Sequence, residues 1–113
     1  MASDNGLTRC AFFQGRIRPG MEAAFRQYVQ DTMVPLWSRF PHLRELRVSG
    51  QESSDVWEPA YPLVMAMRFD SHAELEQALA SPARAESRRA SAQLLEMFEG
   101  TVFHTVFNNI HMA

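Results

Sequence analysis

Residues 60–74 read AYPLVMAMRFDSHAE, and they carry the strongest indication of the fold. Its first part, Ala60–Phe69, alternates as a β-strand does, and both faces are largely apolar, which implies that the strand is covered on two sides. A helix begins next, because Ser71 and Glu74 have the spacing of a capping box. The stretch therefore predicts a strand that leads into a helix, within a sheet that is covered on both faces.

A second helix start follows at Ser81-Pro82, where serine is a favourable cap and proline a favourable first helical residue. We expect this helix to run to about Glu99 and to be ended by Gly100. Alternation then predicts a last strand over Thr101–His111.

Toward the N-terminus, alternation predicts strands over Leu7–Ile17 and His42–Ser49. Apolar residues at helical spacing predict a helix over Met21–Phe40 between these strands. The stretch from Gly50 to Pro59 is rich in turn-forming residues and predicts a long loop. The order strand–helix–strand–strand–helix–strand is the ferredoxin-like plan. We therefore predict an α+β domain with a four-stranded antiparallel sheet and two main helices on one face.

Pro35 interrupts the first predicted helix. A proline inside a helix costs about 3 kcal/mol unless the helix bends or ends there. We expect a kink or a break, with Leu36–Phe40 as a separate last turn.

The composition fits one globular domain. The chain has 113 residues, 46% hydrophobic and 21% charged, so residues 7–113 can form a single core, and residues 1–6, which are small and polar, are expected to be a disordered tail. A net charge of −2 argues against a nucleic acid partner, which needs a concentrated basic surface. One cysteine, no leader-like segment and no apolar run near the length of a membrane span favour a cytoplasmic protein without membrane contact.

The sheet also predicts a partner. Both of its faces carry apolar residues, and the chain's own two helices cover only one of them. A second copy of the chain is the simplest cover for the other face, because a monomer would leave a large apolar patch exposed. We therefore expect a homodimer.

Three local strings accompany this order of elements. They read Arg18-Pro19-Gly20-Met21 with Phe25, Val34-Pro35-Leu36 with Pro41-His42-Leu43, and Arg68-Phe69-Asp70-Ser71 with Leu75 and Ala80-Ser81-Pro82. Over residues 7–110 the chain thereby resembles the dimeric α+β barrel superfamily, and within it the EthD group, named after a protein of ethyl tert-butyl ether degradation.

The resemblance implies a homodimer whose two sheets meet face to face, with a pocket between sheet and helices in each protomer. Members of the superfamily include cofactor-independent monooxygenases, lactone isomerases, polyketide cyclases and proteins with no known activity. The resemblance thus implies catabolism of organic compounds, with a small aromatic, lactone or polyketide-like substrate. EthD-like sequences commonly carry a histidine two residues before the proline of the second string. Here that position is Met33, which weakens a direct transfer of catalytic roles.

His104 is the candidate catalytic residue. It alternates with Val102 and Val106 on the last predicted strand, where an imidazole can act as a general base near neutral pH. The competing interpretation is a hydrogen-bonded core histidine. In one of the registers that the sequence leaves open, His104 shares a sheet face with Phe12 and Gln14.

Six further residues are candidates for a pocket or a ligand contact: Gln14, Arg47, Arg68, Trp57, Tyr61 and Asn108. The four polar ones lie on strand faces that otherwise carry apolar groups, so they either pair within the barrel or contact a ligand. The two aromatic ones flank the predicted loop and either line a pocket mouth or seal a dimer interface.

Other polar residues suggest no chemistry. Arg84, Arg88 and Arg89 on the second helix are interpreted as a solvated face, and Cys10 as an inert buried thiol. No histidine pair has zinc-site spacing, and no phosphate loop or flavin or nicotinamide fingerprint is present, so neither a metal nor a cofactor is expected.

Two classes of function stay open. One is an enzyme that isomerises, cyclises, dehydrates or oxygenates a small molecule in a hydrophobic pocket; the other is a non-catalytic dimer that binds a hydrophobic ligand or only assembles.

Overall fold

The computed structural model describes residues 5–112, and the predicted order of strands and helices is confirmed. In chain order the elements are β1 (Leu7–Ile17), α1 (Glu22–Tyr28), a π-helical segment (Val29–Met33), α2 (Val34–Trp37), β2 (Glu45–Ser49), β3 (Leu63–Phe69), α3 (His72–Leu79), α4 (Pro82–Glu96) and β4 (Phe98–Asn108).

The four strands within residues 5–112 form one antiparallel sheet in the order β2-β3-β1-β4. β1 has the predicted bounds and is central, because it pairs with β3 on one side and β4 on the other. Its odd-numbered residues from Leu7 to Phe13 are buried, and the even-numbered ones point to the opposite face. The predicted ferredoxin-like α+β fold is therefore confirmed.

Two strands begin later than predicted. β2 begins at Glu45, because the chain before it passes through a left-handed conformation at His42, with φ of 66°. β3 begins at Leu63, because Pro62 has no N–H to donate to a sheet ladder. Alternation in both strands still places the predicted apolar residues on the buried side.

The irregularity predicted near Pro35 is present, but it is a π-helical turn and not a break. The N–H of Val34 donates to the carbonyl of Val29, five residues earlier. α2 then includes Pro35 and ends at Trp37, so the prediction of a separate turn over Leu36–Phe40 is wrong. The wider turn lets the helix pass a proline that would clash with a regular preceding turn.

Both predicted helix caps are confirmed. The hydroxyl of Ser71 accepts from the N–H of Glu74 at 3.2 Å, and that of Ser81 accepts from the N–H of Arg84 at 3.2 Å. The predicted end of α4 is wrong, because the helix ends at Glu96, and Gly100 lies inside β4.

The helices pack on one face of the sheet, and the core lies between them. The buried core side chains include Phe13 of β1, Met67 and Phe69 of β3, and Leu94 of α4. The Tyr28 hydroxyl donates to the carbonyl of Ala90 at 2.8 Å and ties α1 to α4. The opposite face, which we call the open face, carries the even-numbered residues of β1 and the residues of the other strands that point the same way.

The predicted disordered tail falls partly outside the described residues, which begin at Asn5. Asn5 and Gly6 are held against the end of the chain: Asn5 Nδ2 donates to the carbonyl of Ile110 at 2.9 Å, and the N–H of Asn109 donates to the carbonyl of Gly6 at 3.0 Å. Across residues 5–112, none of the helices has both the length and the apolar character needed to cross a lipid bilayer.

Leu94 and Leu95 form a matched test of the packing of α4, because they are adjacent and are 0% and 42% exposed. Leu94→Ala should lower the free energy of unfolding by about 2–5 kcal/mol, since it leaves a cavity in the core. Leu95→Ala should change it by less than about 0.5 kcal/mol. Denaturant unfolding measures both values, and equal effects would contradict this packing.

Candidate functional site

His104 lies on β4, an edge strand of the sheet. It pairs with Ala11, which is buried beneath the helices, and directly paired residues of antiparallel strands point to the same face. His104 therefore lies on the helix-covered face, whereas Phe12 and Gln14 lie on the open face. His104 is exposed, so it is not a buried core histidine.

Three arginines lie near His104. Arg9 of β1 pairs with Val106 on the same face and is only 7% exposed. Arg84 and Arg88 are one turn apart on α4 and therefore share a helix face. Among residues 5–112, no ion pair includes any of these three arginines. We call Arg9, Arg84, Arg88 and His104 the arginine–histidine cluster.

The positive charges of the cluster act on one another. Partial burial of the imidazole, followed by the charges of Arg9, Arg84 and Arg88, lowers the pKa of His104 to about 4. Burial, followed by the charge of Arg84, lowers the pKa of Arg9 to about 10. At pH 7 His104 is therefore neutral, with one ring nitrogen free to accept a proton, while Arg9 keeps its charge.

The structure separates His104 from the other polar residues predicted on the strands. Gln14, Arg47 and Arg68 all lie on the open face, as their partners in the sheet show. Arg68 is half-buried, and its Nη1 lies 3.4 Å from Asp70 Oδ1, while its buried Nε has no hydrogen-bond partner. Arg47 is exposed. A polar set made of His104, Arg68 and Gln14 therefore does not converge within one protomer.

Aromatic side chains join on the open face. Phe12 stacks on Phe103 with ring centroids 5.2 Å apart, and it meets Phe107 and Tyr61 edge-on at 6.5 and 5.7 Å. Tyr61 also lines a hollow of about 540 Å³ beside the loop that precedes β3. Trp57 on this loop is 85% exposed.

Asn108 is the last residue of β4 and is exposed opposite Leu7. It lies on the same side of the sheet as His104, four residues further along the strand. The sheet register therefore places Asn108, unlike Gln14, Arg47 and Arg68, on the helix-covered side together with His104.

A groove of about 1130 Å³ lies between α1 and β2 and contains none of the predicted site residues. Its charged lining residues are all exposed: Glu22, Arg26, Asp31 and Glu52. Solvated charges of mixed sign need no ligand, whereas Arg9 is largely buried and none of the ion pairs among the described residues includes it. We therefore place the candidate site at the arginine–histidine cluster.

Metal and thiol chemistry have no centre in the described part of the chain. Residues 5–112 contain no group of three or more histidine, cysteine, aspartate or glutamate side chains that could hold a metal ion. Cys10 is half-buried on the open face, and burial raises the pKa of its thiol, which keeps it protonated and unreactive.

Sequence reasoning missed Arg9 and assigned Arg84 and Arg88 to a solvated face. One local signal was available: Arg9 interrupts the buried side of β1 between Leu7 and Ala11. A charge at such a position requires either a partner or a ligand. The approach of α4 to this part of the sheet had no local signal, because it follows from tertiary packing.

No protein-family profile matches the chain, and no curated protein matches it either. Solved structures do match. An EthD family protein from Bacillus halodurans has a TM-score of 0.75 and 20% identity, over 93% of this chain and 99% of that one. A variant of SnoaB, a cofactor-independent oxygenase from Streptomyces nogalater, has a TM-score of 0.65 and 18% identity, over 96% of each chain.

A third similar structure is a dimeric protein of unknown function with a ferredoxin-like fold from Bacteroides fragilis. Its TM-score is 0.68 at 10% identity, over 95% of this chain and 99% of that one. These likenesses show the fold: the chain shares the architecture of an EthD family protein and of a cofactor-independent oxygenase. The resemblance predicted from the sequence is confirmed at that level.

The lowered pKa of His104 predicts a pH dependence of stability. Because the folded-state pKa of about 4 lies below the ordinary value of 6.5, the unfolded chain binds this proton more readily between those values. The free energy of unfolding should therefore fall as the pH drops from 6.5 to 4. His104→Gln should reduce that fall, as measured by urea unfolding at several pH values. If the free energy of unfolding fell equally with pH in the wild-type protein and in His104→Gln, the lowered pKa of His104 would be contradicted.

Proposed function

We propose that the chain is a homodimeric α+β barrel protein that moves a proton on a small aromatic, lactone or polyketide-like molecule, with His104 as the catalytic residue. The observation that carries the proposal is the arginine–histidine cluster, in which a neutral imidazole lies near guanidinium groups without a balancing carboxylate. Titratable groups with strongly shifted pKa values concentrate at functional sites. The likeness to a cofactor-independent oxygenase supports a reaction on an organic molecule.

The proposed chemistry is proton abstraction beside a carbonyl group. A C–H bond of the substrate breaks, its proton moves to the unprotonated ring nitrogen of His104, and its electron pair becomes an enolate. Arg9 and Arg84 supply positive charge that stabilises the enolate oxygen. The imidazolium then returns the proton to the same carbon or to another one, which gives exchange or isomerisation, and the atoms balance without an added oxidant or reductant.

Solvent deuterium exchange tests this function without knowledge of the natural substrate. The wild-type protein should accelerate deuterium incorporation into an enolisable aryl ketone or lactone, observed by proton NMR. His104→Gln should lower the rate by about 10²–10⁴-fold, the usual contribution of general acid–base catalysis. His72→Gln is the matched control, because His72 is exposed at the start of α3, and it should leave the rate unchanged.

The alternative function is a dimer that binds a ligand without changing it. Binding of these probes by the wild-type protein, with no exchange above the buffer rate, would support that alternative. Equal rates for wild type and His104→Gln would remove His104 from the mechanism.

Self-association is argued from the open face. Phe103 and Phe107 are 37% and 46% exposed beside Phe12, which is an unusual concentration of aromatic surface on a sheet. A second copy presents the same surface, so two such faces are complementary in character. One of the similar structures is described as dimeric, which supports a dimer here as well.

The dimer predicts a mass of about twice 12.9 kDa in light scattering at micromolar concentration. Phe103→Glu should reduce the mass to that of one chain, because a carboxylate would be buried in the interface without a partner. Leu95→Glu is the control: Leu95 is similarly exposed but lies on α4, so its variant should stay dimeric. A wild-type mass of 12.9 kDa would refute the dimer.

A further inference from the structure

We propose that Arg9, Arg84 and Arg88 bind the carboxylate of an organic acid, so that this site prefers an anionic substrate to its neutral analogue. The inference rests on the proposed function in that it names the substrate class for the same site. It concerns ligand binding alone, however, so it can be tested separately from the proposed proton transfer.

The first support is the burial of Arg9. The residue is 7% exposed, and its guanidinium makes no hydrogen bond or ion pair with any other described residue. Other arginines of the chain have carboxylate partners: Arg16 with Glu58, Arg18 with Glu99, Arg39 with Glu86 and Arg44 with Asp70. The guanidinium is partly desolvated and no described carboxylate balances its charge, so a bound anion would supply the missing counter-charge.

The second support is the accumulation of like charge from two elements. Arg84 and Arg88 on α4 face the part of the sheet where Arg9 lies on β1, and each of them acts electrostatically on His104. Arg84 donates through Nη1 to the carbonyl of Leu79 at 3.3 Å, a contact that fixes the side chain but does not neutralise it. Fixed positive groups that converge without a counter-charge form an anion site in the same sense as other preorganised donors.

The surroundings favour an organic anion. Val102 and Val106 flank His104 along the helix-covered side of β4, so an apolar body can lie beside the charged groups. Guanidinium groups bind carboxylates through two parallel N–H···O bonds, which fixes the orientation of the ligand as well as its charge. Phosphate presents the same acceptor chemistry without the apolar body, and the two ligands are separated experimentally below.

A bound anion also changes His104. The charged groups that face the imidazole are Arg9 from β1 and Arg84 and Arg88 from α4, and residues 101–108 of its own strand carry no other charge. A carboxylate among these arginines offsets their effect, so the pKa of His104 rises above about 4, while partial burial still keeps it below the ordinary value. The imidazole becomes a stronger base when the acidic substrate is present. It stays mostly unprotonated at pH 7, and as the pH falls below neutrality the complex takes up a proton more readily than the free protein does.

The test is calorimetric titration of the full-length protein with benzoate, with its neutral analogue benzamide, and with inorganic phosphate. We expect benzoate to bind at least about tenfold more tightly than benzamide, as charge-assisted hydrogen bonds imply. Arg9→Met and Arg84→Gln should each weaken benzoate binding by about tenfold or more. Arg89→Gln is the matched control on α4 and should leave the affinity unchanged, because Arg89 is not among the groups that act on His104.

The proton linkage gives a second readout. Benzoate affinity of the wild-type protein should rise as the pH is lowered from 7.5 to 5.5, and titrations in buffers of different ionisation enthalpy should show proton uptake. His104→Gln should keep benzoate binding but lose most of this pH dependence. If His104 had only a structural role, its replacement would leave the proton uptake unchanged.

Several results would overturn the inference. These are equal affinity for benzoate and benzamide, unchanged affinity in a folded Arg9→Met protein, or binding of phosphate without binding of benzoate. Should Arg9→Met fail to fold, Arg84→Gln and Arg88→Gln carry the test, because Arg84 is half-buried and Arg88 is exposed, so neither belongs to the core. Benzoate binding without deuterium exchange would support the anion site and refute the proposed catalysis; exchange on neutral ketones without benzoate binding would do the reverse.

Discussion

The pairing of β1 with β4 determines which side chains lie on each face of the sheet. Side chains alternate along a strand with a period of two, so a slip of one residue would place His104 on the open face and Phe103 beneath the helices. Gly15 and Gly100 hold the register, since they face each other at φ of 145° and 152°. A Cβ atom on either glycine would overlap a backbone carbonyl oxygen of the other strand, so no other residue fits this close approach.

This constraint explains which parts of the fold could be predicted from the sequence. The bounds of β1 and the caps at Ser71 and Ser81 depend on alternation and on hydrogen bonds between near neighbours, and the structure has them as predicted. The end of α4 was misplaced because Gly100 satisfies a local rule for helix ends, whereas in the structure it is required by Gly15, far away in the chain. Pro35 likewise predicted only that the helix would be irregular at this point. The form of the irregularity, a π-helical turn, depends on packing.

The residues of the candidate site likewise differ in how far the sequence could predict them. His104 stood out by residue type, but its sheet face depends on its pairing with Ala11, which the sequence left open. Gln14 and Arg68 were predicted as candidates on the same grounds as His104, because a polar residue on an apolar strand can be recognised from the sequence. The sequence does not show which face of the sheet each of them occupies. Arg9 was missed although it interrupts the buried side of β1, and only the position of α4 shows that Arg84 and Arg88 add to its charge.

The two faces of the sheet set different physical problems. The open face carries an exposed aromatic cluster around Phe12, and hydrophobic burial against a second copy would relieve its exposure whatever chemistry the protein performs. The helix-covered face carries a charge that folding by itself does not favour, because an apolar side chain at position 9 would pack between Leu7 and Ala11 without a desolvation cost. In the proposed anion site, the bound carboxylate would offset this desolvation cost, which gives the arginine at position 9 a role in binding.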